Sequence, residues 1–175
     1  MLKQIRAILL LPGIVTLVIP GIITQMTGAV NFGWSLPVPF NWLPVLLGLF
    51  FVTLGLAILI KTIHLFMQIG EGTLAPWDPT QILVVRGIYR HVRNPMISGV
   101  FCILLGEAIL LGSIPLLVWF GFFVLVNIAY MPFIEEPNLE RRFGEEYSRY
   151  KENVPRWIPH RNPWDIPHNR SNDEG

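Results

Sequence analysis

Charge is what this chain of 175 residues has least of: Asp, Glu, Lys and Arg make up 14%, against 52% hydrophobic residues. That is about half the charged share of an ordinary globular chain. Between Ala7 and Ile60 there is no Lys, Arg, Asp, Glu or His, and the stretch from Ala108 to Ile134 is equally bare. A water-soluble domain has no means of covering its surface with such stretches, which excludes an ordinary cytosolic enzyme. The single cysteine, Cys102, excludes an internal disulfide and with it a disulfide scaffold. A net charge of +1 is not that of a strongly basic binder, so no nucleic-acid partner is expected. Collagen-like and disordered compositions do not fit, and there is no internal repeat or low-complexity tract. What remains is an integral membrane protein.

A bilayer core takes about 20 mainly apolar residues per helix. Four segments qualify: roughly Ile5–Thr24, Leu43–Met67, Pro95–Leu111 and Ile114–Phe133. Pro12-Gly13 and Pro20-Gly21 should bend the first or make it partly irregular. Gly112-Ser113-Ile114-Pro115 offers the only turn chemistry between the last two, which predicts a tight helical hairpin. With four spans, Lys3, Arg6, Arg86, Arg90, Arg93 and every basic residue from Arg141 onward fall on one side, with Lys61 near that end of span two. The opposite side keeps the uncharged loop 25–42 and the turn near Gly112. Basic loops stay in the cytoplasm, so both termini are expected there, most simply at the inner membrane. The opening Lys-Gln-Ile-Arg and its apolar run could instead form a secretory signal, but no clear small-x-small cleavage site follows.

Polar residues gather in two cytoplasmic stretches. In the first, a loop marked by Gly70, Gly72, Pro76 and Pro79 leads into Ile82–Arg93, where apolar and basic residues alternate up to Asn94-Pro95. Read alone, it is a loop whose arginines enforce topology. In the second, Leu139, Phe143, Tyr147, Tyr150 and Val154 recur as the stripe of an amphipathic helix. The pairs Arg141–Glu145, Arg142–Glu146 and Glu145–Arg149 would lace its wet face. Such a helix could simply lie on the membrane surface. That reading leaves Glu135 and Glu136, side by side at the end of span four, without a reason.

The block Gly87-Ile88-Tyr89-Arg90-His91-Val92-Arg93-Asn94-Pro95, then a two-span hairpin, then Glu135-Glu136-Pro137-Asn138-Leu139, Phe143-Gly144-Glu145-Glu146-Tyr147, Tyr150 and Val154-Pro155-Arg156, resembles the isoprenylcysteine carboxyl methyltransferases. These are related to the membrane phospholipid N-methyltransferases. The resemblance covers roughly residues 70–160. It implies an S-adenosyl-L-methionine-dependent methyltransferase held in the membrane, with its cofactor pocket at the cytosolic face between hairpin and C-terminal helix. Arg93, Asn94, Pro95 and Gly99 match the first motif, where the chain wraps the cofactor. Glu135, Glu136, Arg142, Tyr147 and Tyr150 match the second. The chain departs from the family at Asn94, where His is frequent, and at Ile97, where Tyr is usual.

The expected fold is thus all-α, with about four transmembrane helices plus a C-terminal cytoplasmic amphipathic helix. One membrane domain spans residues 1–159, its cofactor-binding half about 70–159, and 160–175 form a flexible cytoplasmic tail. Methyl transfer from a sulfonium is an in-line displacement, so aligning donor and acceptor does most of the work. A carboxylate acceptor is already nucleophilic and needs an anchor, for which Arg142 suits as a two-point donor. Glu136 could orient that arginine across the bend at Pro137, so Arg142 and Glu136 are the candidate catalytic pair. Glu135 could accept hydrogen bonds from the cofactor, and Tyr147 and Tyr150 could wall its adenine. The blander roles are a surface ion pair of Arg142 with Glu146 and interfacial anchoring by the tyrosines.

The expected partners are the bilayer and a small amphipathic or lipid-like methyl acceptor; no obligate protein partner is implied. The alternative reaction is N-methylation of a lipid headgroup amine, with Glu136 or Glu107 as base. A non-catalytic membrane scaffold, or a reductase sharing the helical architecture, is the reading from another class. For a nicotinamide reductase there is no suitable glycine-rich loop. Glu107 could line an acceptor channel, pair with His64 or sit protonated on backbone; Asn127 could bond between helices. His160 and His168 are too sparse for a metal site.

Overall fold

The computed structural model describes residues 12–69 and 82–165. The start of the first span at Ile5, the loop of residues 70–81 and the last ten residues of the expected tail lie outside them. Among the described residues all regular structure is helical. A π-helical turn, Ile14–Val18, runs into α1 (Ile19–Thr27). Then come α2 (Trp42–Ile69), α3 (Pro95–Leu110) and α4 (Ile114–Tyr130). A second π-helical turn, Met131–Glu135, leads to α5 (Glu136–Phe143) and α6 (Glu145–Asn153).

Proline and glycine decide where these helices start and stop. Pro95 and Pro115 stand in the first turns of α3 and α4, where a missing N–H costs nothing. Gly112, at φ 58°, makes the left-handed turn that closes the α3–α4 hairpin, as its sequence predicts. Gly28 ends α1 in the same conformation. Pro132 and Pro137 each remove an N–H from the ladder at the end of α4. The chain stays helical there through the π turn, so the helix does not end at Phe133 but runs on to Phe143, its apolar part giving way to charged residues from Glu135.

The closest packing joins α2 and α3 antiparallel. Gly48 and Gly55 on α2, and Gly99 and Gly106 on α3, are each seven residues apart, two helical turns, and so share one face. Backbones meet at this seam. A Cβ placed on Gly106 would come within 2.7 Å of the Val52 backbone nitrogen, and one on Gly55 within 2.5 Å of the Gly99 carbonyl oxygen. Small residues at an interface let membrane helices approach until dispersion and backbone contacts hold them. The α1 segment lies on α4, where Trp119 Nε1 donates to the Val15 carbonyl at 3.4 Å. At the end remote from the polar stretches, loop 28–41 covers the hairpin turn. Asn31 N donates to Leu111 O at 2.7 Å and Trp34 Nε1 to Ile109 O at 2.9 Å.

Among the described residues two helices, Trp42–Leu65 and Ile114–Phe143, are long and apolar enough to cross a membrane; Ile14–Thr27 and Pro95–Leu110 are shorter apolar helices. Leu46, Phe50, Ile60, Val118, Phe122 and Leu125 stand exposed along α2 and α4. An apolar surface of that extent fits lipid and not water.

Three expectations change. The C-terminal amphipathic helix is broken at Gly144, whose φ 55°, ψ −132° is open to glycine and closed to most side chains. Arg141–Glu145 and Arg142–Glu146 therefore straddle a break, while Glu145–Arg149 forms at 3.5 Å. Residues 160–165, assigned above to the flexible tail, instead run back along the chain before α3. His160 N donates to His91 O at 2.8 Å and Trp164 N to Arg90 O at 3.0 Å. Asn127 bonds its own helix, Nδ2 to Phe123 O at 2.8 Å, and no neighbouring helix among the described residues.

Candidate functional site

The two polar stretches meet at one end of the bundle. In the first, Val84, Val85, Tyr89 and Val92 turn inward and are buried, while Arg86 stays exposed. A 3-10 turn, Gly87–Arg90, opens at Gly87 with φ 55° and brings Arg93 to the mouth of α3. In the second, the stripe survives the break at Gly144: Tyr147, Tyr150 and Val154 form a buried cluster with Val85, and Leu83, Leu139, Phe143 and Trp164 pack on it. The apolar stripe thus faces protein, not headgroups.

Hydrogen bonds then fasten one stretch to the other. Tyr150 Oη donates to the Tyr89 carbonyl at 2.7 Å, and Arg93 N donates to the Pro155 carbonyl at 2.9 Å. His91 Nδ1 meets the His160 carbonyl at 2.8 Å, and Arg90 pairs with Asp165. The last described residues form a strap over the entry to α3.

Under that strap lies a buried charge cluster centred on Glu136, whose side chain is 4% exposed. Arg156 grips both carboxylate oxygens, Nε to Oε1 at 2.6 Å and Nη2 to Oε2 at 2.9 Å. Arg93, 9% exposed, donates from Nη1 to Oε1 at 3.0 Å and to the Tyr147 hydroxyl at 3.5 Å. Lys151 Nζ stands 3.7 Å from Oε2 and 2.8 Å from Glu140. Burial works to raise the Glu136 carboxyl, but the Arg156 hydrogen bond and the charges of Arg93, Arg156 and Lys151 outweigh it and hold it below its usual range. The hydrogen bond to Glu136 in turn raises Arg156. Burial, with the Glu136 charge behind it, pushes the Tyr147 phenol up to about 12. Burial raises Tyr150 and Tyr89 further. All three phenols are neutral near pH 7.

The structure therefore brings Arg93, Glu136 and Tyr147 into contact, with Asn94 and Pro95 next along the chain. Glu135 is half-buried at the π turn, hydrogen-bonded with Tyr130. Gly99 faces α2, where an added Cβ would lie 3.1 Å from the Gly55 carbonyl oxygen. Tyr150 belongs to the apolar cluster. Arg142 is exposed on α5, its guanidinium 5.0 Å above the Phe143 ring. The partners of Glu136 are thus Arg93, Arg156 and, at 3.7 Å, Lys151, in place of the expected Arg142. Six residues is about one and two-thirds turns, which sends Glu136 and Arg142 to different sides of a helix. Arg156 and Lys151 carried no role in the sequence reading. The Val154-Pro155-Arg156 block was visible, but nothing in its spacing links it to a carboxylate twenty residues earlier. His64 bonds Gln68 at 2.9 Å and not Glu107, one of whose oxygens is buried without a partner among the described residues.

The sequence profile of the phospholipid methyltransferases matches residues 43–146. A protein-S-isoprenylcysteine O-methyltransferase of Schizosaccharomyces pombe is 35% identical over 78 residues, 45% of this chain and 33% of that protein. A Haemophilus influenzae protein of uncharacterized function is 40% identical over 65 residues, 36% of this chain and 100% of that protein. The chain thus spans about a third of the length of the fission-yeast enzyme.

Proposed function

Because the chain belongs to the phospholipid methyltransferase family and is similar to an isoprenylcysteine O-methyltransferase, we propose that it is a membrane methyltransferase whose donor is S-adenosyl-L-methionine and whose acceptor is the carboxylate of a small amphipathic or prenylated molecule. One observation carries the choice of acceptor. Glu136, the most buried carboxylate at the joint between span and C-terminal helices, is committed to two arginines and held ionised. A carboxylate so engaged is a poor proton acceptor. An amine acceptor needs a base; a carboxylate acceptor does not.

The residues at the joint suit the cofactor. Arg93 Nε is buried with no partner among the described residues, and Glu135 offers a half-buried acceptor. The cofactor supplies the methyl group on its sulfonium. We assign Arg93, Asn94 and Pro95 to the wall that wraps it, Glu135 to its amino or hydroxyl groups and Tyr147 to its aromatic edge. Gly99 and Tyr150 support this wall from behind, one by admitting α3 to α2, the other by holding Tyr89. Glu136 is a positioning residue. Arg142, exposed on α5 and steadied by Phe143, is the anchor for the acceptor carboxylate.

The second reading is methylation of a lipid headgroup amine with Glu107 as base, since Glu136, the other base expected, is committed to its arginines. It is favoured by the family profile and by the Glu107 oxygen left without a partner among the described residues. Arg142→Lys separates the two. Lysine keeps charge and helix propensity but loses the planar two-point contact. Methyl transfer to carboxylates should fall at least tenfold, transfer to amines less, and cofactor affinity should hold. The assay compares prenylated thioacids with lipid amines, cofactor affinity being measured in parallel. Equal losses in both acceptor classes would drop the carboxyl-directed reading.

The proposed arrangement has four spans, α1 to α4, with both termini and residues 70–94 on the cytoplasmic face of the inner membrane. Ser35 and Glu152 are exposed at opposite ends of the bundle. Cysteines placed there in a Cys102→Ala background should react with an impermeant thiol reagent from opposite faces. Labelling of both from one face would overturn this topology.

A further inference from the structure

Around Glu136 the charges do not balance. Lys151, 2.8 Å from Glu140, is matched by that carboxylate. This leaves two guanidinium groups, Arg93 and Arg156, for the one carboxylate of Glu136. The surplus is one positive charge beside the buried Glu136 and Arg93, where water screens poorly, with Arg156 29% exposed at the edge of the cluster. A second, independent observation points the same way. Arg93 Nε is buried and has no hydrogen-bond partner among the described residues, although a buried donor left so is costly. Guanidinium groups are matched best by a planar anion that accepts two parallel N–H bonds, and a surplus of one is matched by a monoanion. A carboxylate is both.

We propose that Arg93 and Arg156 form a carboxylate-binding subsite at the helix joint, buried on the Arg93 side and open at Arg156, with Glu136 as the internal counter-ion that holds the two guanidinium groups in place. The inference rests on the methyltransferase reading, because two carboxylates take part in that reaction. One is the methionyl carboxylate of the donor, the other that of the acceptor. If Arg142 anchors the acceptor, this subsite falls to the donor. The subsite is assembled from two distant pieces of chain. Arg93 enters with the mouth of α3, and Arg156 arrives on the strap that Arg93 N itself secures through the Pro155 carbonyl at 2.9 Å. Binding of a carboxylate therefore requires a docked strap and should tighten it.

The test is calorimetry on the detergent-purified full chain. One arm compares S-adenosylmethionine with its decarboxylated form, the other N-acetyl-S-farnesylcysteine with its carboxamide. In one arm the wild type should prefer the carboxylate at least tenfold, about 1.4 kcal/mol, and that arm identifies the source. Arg156→Gln should cut the preference below twofold, and Arg156→Lys should keep an intermediate one. Preference in the farnesylcysteine arm without any S-adenosylmethionine binding would remove the donor assignment and leave the subsite standing. Equal binding of charged and neutral forms in both arms would overturn the subsite while leaving the methyltransferase reading intact. Full preference retained by Arg156→Gln would overturn it as well. Should Arg156→Gln fail to fold, the wild-type comparison and Arg156→Lys decide.

Discussion

Glu136→Gln is expected to destabilise the protein by about 3–5 kcal/mol, the usual result of removing one partner from a buried ion pair. Gln keeps the shape of the side chain and loses its charge. Its amide offers one oxygen where the carboxylate accepts from Arg156 at 2.6 and 2.9 Å and from Arg93 at 3.0 Å. Its NH2 then points donors at donors. The Arg93 guanidinium would stay buried, 9% exposed, beside the half-buried Arg156, with no carboxylate between them. Since Arg93 stands at the mouth of α3, S-adenosylmethionine affinity should fall at least tenfold in whatever fraction remains folded. Glu135→Gln, at the half-buried neighbour, should weaken cofactor binding with little loss of stability. Acid adds an internal check. The folded-state carboxyl of Glu136 titrates below its ordinary value, so its stabilisation is complete above pH ~4.3 and is lost as pH falls through the lowered value. Thermal unfolding in detergent should show the wild type losing stability over that acidic range, and Glu136→Gln losing less there. A variant melting like the wild type at pH 7 would mean the cluster does not hold the joint together.

That cluster marks the limit of what the sequence made legible. Membrane helices were readable because a bilayer demands long apolar runs, and Gly112 was readable as a turn because only polar or flexible residues interrupt such runs. The stripe Leu139, Phe143, Tyr147, Tyr150 and Val154 was readable too, and all five residues reach one cluster. What covers that cluster was not readable. An apolar stripe looks the same whether it meets headgroups or buried Val85. Gly144 escaped because the break leaves the period of the stripe intact. Pairing of Glu136 was assigned to Arg142 because that arginine is near in sequence. Its hydrogen-bond partners, Arg93 and Arg156, lie forty-three residues before and twenty after, on separate elements. Charge partnerships between distant elements follow from how the elements dock, and docking here depends on backbone bonds from the strap that carry no composition signal.

Glycine supplies the other large effect. Gly106→Leu should part α2 from α3 and destabilise the bundle by about 3 kcal/mol, the upper end of overpacking costs. A Cβ alone would lie 2.7 Å from the Val52 nitrogen and 2.8 Å from the Gly48 carbonyl oxygen. Both are backbone atoms of a helix, which cannot step aside as a side-chain tip can. The seam must therefore open along its length, removing the close contacts at Gly55 and Gly99 as well. Opening it also moves the mouth of α3, where Arg93 meets Glu136, so cofactor affinity should fall with stability despite the distance from Gly106. The control is Gly121→Ala in the middle of α4. Nothing lies within 4 Å of a Cβ there, and alanine forms helix better than glycine by about 0.5–1 kcal/mol. That variant should melt at or above the wild-type temperature and bind cofactor unchanged. Melting temperatures and cofactor affinities of the two variants, in the same detergent, decide the matter. If Gly106→Leu were as stable as Gly121→Ala, the helices would have room between them, and the glycine seam would not be what holds α3 in place for the site.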